Sequence, residues 1–390
     1  MKFINLLSTI LLSISLKVVQ GADELNFEPS LILEDILTRE LAQSRGQHSA
    51  LESSSAGPNL KVEKAIYDQF PVSVAVSSKG RKFVSYPHWE QNKGRSLVEI
   101  KGGKEYYYPN ASMNNVKYSH AFNSIHAIYI DALDRLWVLD TGKVGNGIRP
   151  VSSHIFYVFD LKYDYLLASY TFPKNVEYPT SQLQDIRFDA NLKYGFITDA
   201  TVPGIAVLNL ETGESFRRLD NHISTAGLDD FALTIEGKIV KPGGKPAKIS
   251  SNGIEISKDK KTLYYTPLSS RTLYSVPVEA LINRKLSEDD LGKLVKVEIL
   301  DKGSASAGLI SDKDGNIYIT NIEQNSITKF NPNTKELSLV VRHPNLLWPD
   351  TLSVYNNTLF ITANQMNRRP AFNNGVEGRK APYFLFSIPI

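Results

Sequence analysis

The 390-residue chain contains no cysteine. That excludes a disulfide framework, thiol catalysis, cysteine-ligated zinc and iron–sulfur clusters. It has little net charge: 44 basic and 41 acidic residues leave a formal +3, with no concentrated basic stripe of the kind a nucleic-acid binder needs. Beyond the first 21 residues no run is long and apolar enough to span a membrane. The nucleophile elbow Gly-x-Ser-x-Gly of serine hydrolases is missing. One Asp-Thr-Gly triplet occurs, Asp140–Gly142, but aspartic-protease chemistry needs two carboxylates sharing a proton and no second triplet exists. The seven histidines, His48, His88, His120, His126, His154, His222 and His343, show no metal-ligand pairing at helical or hairpin spacing. What is present is ordinary for a globular chain: 42% hydrophobic and 22% charged residues. This composition and length suffice to bury a large core without covalent staples.

Residues 1–21 have a basic start at Lys2, an apolar run from Phe3 to Leu16 and a small residue at Gly21. This is the layout of a secretory signal peptide, and the apolar run is too short for an anchor. Its removal takes Lys2 and Lys17 and lowers the formal charge to +1. Residues 22–58 form a pre-domain. Leu31, Ile32, Leu33, Ile36, Leu37 and Leu41 fit a short amphipathic helix, and the Ser- and Gly-rich stretch that follows reads as a flexible linker.

Residues 59–390 repeat one pattern six times. A short β-type run, a polar turn and a second β-run carrying an aromatic start at Val74, Ile128, Ile186, Ile254, Leu309 and Leu352. The aromatics are Phe83, Trp137, Phe196, Tyr264, Tyr318 and Phe360, spaced by about 55 residues on average, the scale of a propeller blade. Six copies predict an all-β, six-bladed β-propeller, because one small sheet cannot bury both faces without neighbours stacked around an axis. The longest interval holds Lys238–Lys248, rich in Lys, Gly and Pro, an exposed insertion loop.

In a propeller the first strand of each blade lines the axis, and the residue entering it points to one mouth. Counting back two from each repeat gives Val72, His126, Gln184, Asn252, Ala307 and Asp350, with Asp185 one register step from Gln184. Convergent polar groups in a concave mouth make a small-molecule site. The site candidates are therefore His126, Gln184, Asp185, Asn252 and Asp350. The competing reading is that each caps its own turn. Asn110-Ala111-Ser112 and Asn356-Asn357-Thr358 are glycosylation sequons, at Asn110 and Asn356, in turn-like contexts.

From about Leu60 to the C-terminus the chain resembles the yellow and major royal jelly protein family. The segments that carry this are PVSVAVSSKGRKFVSYPHW from Pro71, DRLWVLDTG from Asp134, LQDIRFDANLKYGFITDA from Leu183, LYYTPLSSRTLYSVP from Leu263, LWPDTLSVYNNTLFITANQ from Leu347 and RKAPYFLFSIPI from Arg379. The resemblance implies a secreted six-bladed propeller. It implies no single function, since relatives are linked to pigmentation through a proposed dopachrome-converting activity, to nutritive jelly and to amine binding in saliva. This chain lacks the cysteines general in insect members and carries the extra segment 22–58.

The expectation is a secreted binding protein rather than an enzyme, holding a small aromatic or amine ligand at the channel mouth with Asp350 or Asp185 as counter-charge. The alternatives are an isomerase of oxidised catechols, a metal-dependent lactonase, and a structural or nutritive protein. No cofactor is expected. Calcium is the one candidate ion, through Asn252 and Asp350, and Ala307 withholds the oxygen a fuller ligand set would need. No nucleic-acid or membrane partner is expected.

Overall fold

The computed structural model describes residues 54–390, apart from 91, 93, 145–148 and 151–152. The expected signal peptide, and all of the pre-domain up to residue 53, lie outside the described residues. Six four-stranded antiparallel sheets make six blades of a β-propeller. Their innermost strands are Val74–Val76, Ile125–Ile130, Leu183–Phe188, Ser251–Ile256, Leu309–Ser311 and Pro349–Tyr355, numbered here as blades 1 to 6. Each pairs with the strand that follows it, so the repeat read from the sequence is the inner hairpin of each blade. No helix among the described residues is long and apolar enough to cross a membrane.

The hairpins form for local reasons. Asp131, Asp189 and Asp312 each accept two backbone N–H bonds from the turn they open, and the hydroxyls of Ser77 and Ser257 do the same in blades 1 and 4. In blade 6 Asn356 and Asn357 both take the left-handed backbone conformation, with φ of 47° and 54°, which is what a two-residue hairpin turn demands.

The repeated aromatics are the wedges between blades. Phe83 packs with Ile125 and Ile128 of blade 2, Trp137 with Ile186 and Phe188 of blade 3, and Phe196 with Ile254 and Ile256 of blade 4. Tyr264 packs with Leu309 and Ile317 of blade 5, Tyr318 with Leu352 and Ile361 of blade 6, and Phe360 with Val74 and Val76 of blade 1. All six are buried. The ring closes because Lys61–Ile66, from the N-terminal side, pairs with the C-terminal strand Tyr383–Pro389 as the outer strand of blade 6. At the end of the segment expected to be a linker, Ala56 exchanges two backbone hydrogen bonds with Arg342 of blade 5.

The axis is crossed by one cation. Arg187, its side chain 2% exposed, leaves the inner strand of blade 3. Nε donates to Glu255 of blade 4 at 3.0 Å, Nη2 to the Leu309 carbonyl of blade 5 at 2.8 Å, and Nη1 meets Asp185 at 2.9 Å. The guanidinium lies 4.3 Å from the ring centroid of Tyr129 in blade 2. It borders an axial channel of about 180 Å³ lined by all six inner strands.

Arg187→Met would leave buried Glu255 without its counter-charge, at a cost of about 3–5 kcal/mol. Denaturant unfolding at neutral pH should show that loss, and Arg187→Met combined with Glu255→Leu should recover part of it, Asp185 still lacking its partner. A single variant as stable as the parent would show that the axis does not depend on this cation.

Candidate functional site

The inner hairpins are irregular where they enter the axis. In blade 2 Ile125 pairs with Asp140 and Ile128 with Val138, so His126 and Ala127 oppose one residue. In blade 3 Gln184 and Asp185 do the same between Leu183 and Ile186. Asn252 is the inserted residue of blade 4, and Asp350 with Thr351 bulges in blade 6. A bulge re-aims the side chains it carries. Here four bulges deliver His126, Gln184, Asn252 and Asp350 to the floor of one cavity of about 1060 Å³.

Asp185 goes elsewhere. It lines the axial channel, paired with Arg187. Val72 and Ala307, the ring positions of blades 1 and 5, are buried and add no polar group. Asn110 and Asn356 are exposed on loops away from the cavity lining.

Hydroxyls from neighbouring strands hold the backbone at three strand entries, two of them bulged. Ser85 donates to the His126 carbonyl at 2.9 Å, Thr198 to that of Asn252 at 2.8 Å and Thr362 to that of Val72 at 2.9 Å. Each of these hydroxyl residues lies two positions after its blade's aromatic, and Thr266 and Thr320 occupy the same place in blades 4 and 5. The aromatic-x-Ser/Thr signal was therefore in the sequence, though the hairpin pattern alone gives it no role.

Apolar side chains wall the cavity. Trp348 and Phe372 stack at 5.9 Å and 24°, and Trp89 tilts over the His126 ring at 5.2 Å. Trp348 sits in the left-handed region at φ 54°, a strained conformation for a bulky residue that persists where surrounding structure enforces it. Two loops frame the mouth. The loop between Ala363 and Tyr383 is tied to the insertion hairpin of Thr234–Ile239 by Arg368 and Asn367, both bonded to Glu236. Arg369 lies over Trp89 at 4.7 Å and pairs with Glu90, which also holds Arg379 at 2.6 Å. Pro242, Gly243 and Gly244, in the stretch expected to be an exposed insertion, reach the cavity lining.

The floor groups are electrically unusual. Nε2 of His126 bonds Gln184 Oε1, so Nε2 carries the proton and Nδ1 is a bare acceptor, buried with no hydrogen-bond partner. Burial pushes this imidazole down to about 4, which leaves it neutral at physiological pH. Asp350 is buried with one donor, Asn364 Nδ2 at 2.6 Å. Burial pushes its carboxyl up to about 7. Lys143, also lining the cavity, has its pKa lowered by burial.

This donor set does not fit calcium, which takes six to eight oxygen ligands. Asp350 is the one floor carboxyl and is only partly ionised near neutrality. Gln184 is engaged by His126, and no three His, Asp or Glu side chains converge among the described residues. By contrast, Asp140 of the protease-like triplet accepts backbone N–H bonds from Asn123, Ser124 and Gly142, which is a turn and not a catalytic dyad.

The raised Asp350 pKa has a consequence for stability. A carboxyl at 3.8 when unfolded and about 7 when folded leaves stability intact below pH 4, and it is lost as the pH rises from 4 to 7. Asp350→Asn should therefore raise the unfolding midpoint at pH 8 and change it little at pH 4. A scan showing equal shifts at both values would rule out a buried, reluctant carboxylate.

Residues 123–378 match the family model described as Major royal jelly protein. Major royal jelly protein 3 of Apis mellifera is 28% identical over 221 residues, covering 54% of this chain and 39% of that protein. Protein yellow of Drosophila melanogaster is 25% identical over 271 residues, covering 63% and 48%. The chain thus spans less than half the length of these curated relatives. Among solved structures, a luciferin-regenerating enzyme superposes with a TM-score of 0.52 at 11% identity, over 86% of this chain and 96% of that one, a likeness of fold alone. The matched stretch runs from the entry of blade 2 to the loop over the cavity and includes every floor residue, and the chain belongs to the major royal jelly protein family.

Proposed function

We propose that this is a secreted protein whose propeller cavity binds a small aromatic ligand bearing an amine. The observation that carries the reading is the convergence of four bulged strands on one cavity with an aromatic wall and a single floor carboxyl, Asp350. Trp89, Trp348 and Phe372 provide faces for a ring. Asp350 gains a counter-ion only when a cation enters, so binding an ammonium offsets the cost of ionising it. His126 Nδ1 accepts a hydrogen bond from a hydroxyl or ammonium of the ligand. Secretion rests on the layout of residues 1–21.

A second reading is an isomerase on the same floor. It is favoured by one observation, the neutral imidazole of His126 in the cavity lining, whose Nδ1 carries no proton and has no hydrogen-bond partner. Lactone hydrolysis assisted by calcium is not favoured, because the donor set does not fit the ion.

Thermal unfolding and calorimetric titration with serotonin and dopamine test the first reading. A native-state ligand raises the midpoint by mass action. The expected outcome is a midpoint rise with an amine and none with calcium, and loss of the amine effect in Asp350→Asn. The affinity should grow about tenfold from pH 6 to pH 8 as Asp350 ionises through about 7. A calcium-dependent rise reversed by EDTA would overturn the reading. If no amine shifts the midpoint, a structural or nutritive role takes its place.

A further inference from the structure

One wall of the cavity is short of acceptors. Lys143 lines it with a side chain that is almost wholly buried, the residue being 4% exposed. Its ammonium has three donors, and one of them meets the Ser181 carbonyl at 2.5 Å. No carboxylate among the described residues pairs with it. The acids that act on it from a distance are Asp199 and Glu177. Asp199 is engaged by Arg217 at 3.0 Å and by the Gln182 N–H, and Glu177 by His154 at 2.7 Å. Beside Ser181, Gln182 is 8% exposed and also lines the cavity, and its Nε2 is buried with no acceptor at all. A buried cation without a counter-charge and a buried amide N–H₂ without an acceptor each cost free energy that an anionic oxygen pair would recover.

At Asp350, in the lining of the same cavity, the imbalance has the opposite sign. Asp350 bonds Asn364, Lys143 bonds the Ser181 carbonyl, and the two form no ion pair with each other. One excess donor pair and one excess acid thus line the same chamber.

We propose that the ligand is bipolar, carrying a carboxylate as well as an amine, and that Lys143 and Gln182 form the seat of the carboxylate. This rests on the amine reading above and adds a second anchor to it. The ammonium supplies charge, and the Gln182 amide supplies a directed donor to the second oxygen.

The test uses three matched probes with the full chain: 4-(aminomethyl)phenylacetate, 4-methylbenzylamine and 4-methylphenylacetate, titrated by calorimetry at pH 8. The bipolar probe should bind at least about tenfold tighter than the amine, the size of one charge-assisted hydrogen-bonded pair. In Lys143→Gln that ratio should collapse to about one, and Gln182→Leu should reduce it. Lys143→Gln keeps a donor for Ser181 and so preserves the wall, which its unfolding midpoint checks. Equal affinity for the bipolar probe and the amine overturns the carboxylate seat and leaves the amine reading standing. Binding of both acids, dependent on Lys143, with no binding of the amine keeps the seat and removes the amine reading. Binding of none of the three removes both.

Discussion

A propeller of this kind must hold six inner strands around an axis that none of them fills. The Arg187 guanidinium ties four of the six, joining blade 3 to Glu255 of blade 4, to the Leu309 carbonyl of blade 5 and to the face of Tyr129 in blade 2. A fixed planar fork suits the task because it donates in several directions at once without losing its charge. It lines the axial channel and not the ligand-sized cavity. Asp185 and Glu255 line that channel with it, while the ligand-sized cavity takes His126, Gln184, Asn252 and Asp350 from the strand entries.

The cavity floor depends on the same device used four times. A bulge inserts an unpaired residue, and its freed backbone carbonyl needs a donor. In two of the four, at His126 and Asn252, a Ser or Thr hydroxyl of the preceding blade, two residues after its wedge aromatic, supplies it. Blade packing and site geometry are therefore coupled. The aromatic fixes the distance between blades, and the hydroxyl beside it fixes the strand entry that carries the polar group.

The mouth is built differently. Its charges are neutralised in pairs, Arg368 with Glu236 and Arg369 and Arg379 with Glu90. The unbalanced groups lie deeper, at Lys143, Gln182, His126 and Asp350. A chamber whose rim is electrically satisfied and whose floor is not favours a ligand that brings complementary charge with it.

The sequence by itself determined the six hairpins, their turns and the wedge aromatics, because these follow from nearest-neighbour patterns of period two and from side chains bonding their own turns. It also placed His126, Gln184, Asn252 and Asp350 at the strand entries, since the repeat carries that position from blade to blade. It left Gln184 and Asp185 undecided, for a one-residue step in a strand reverses the face. The bulge settled it, sending Gln184 to the cavity and Asp185 to Arg187. Trp89, Lys143, Gln182 and Phe372 lie outside the repeat on connections between strands and blades. Only the tertiary structure brings them to the cavity, because the path of such a connection is set by the packed ring beneath it and not by the local order of its residues.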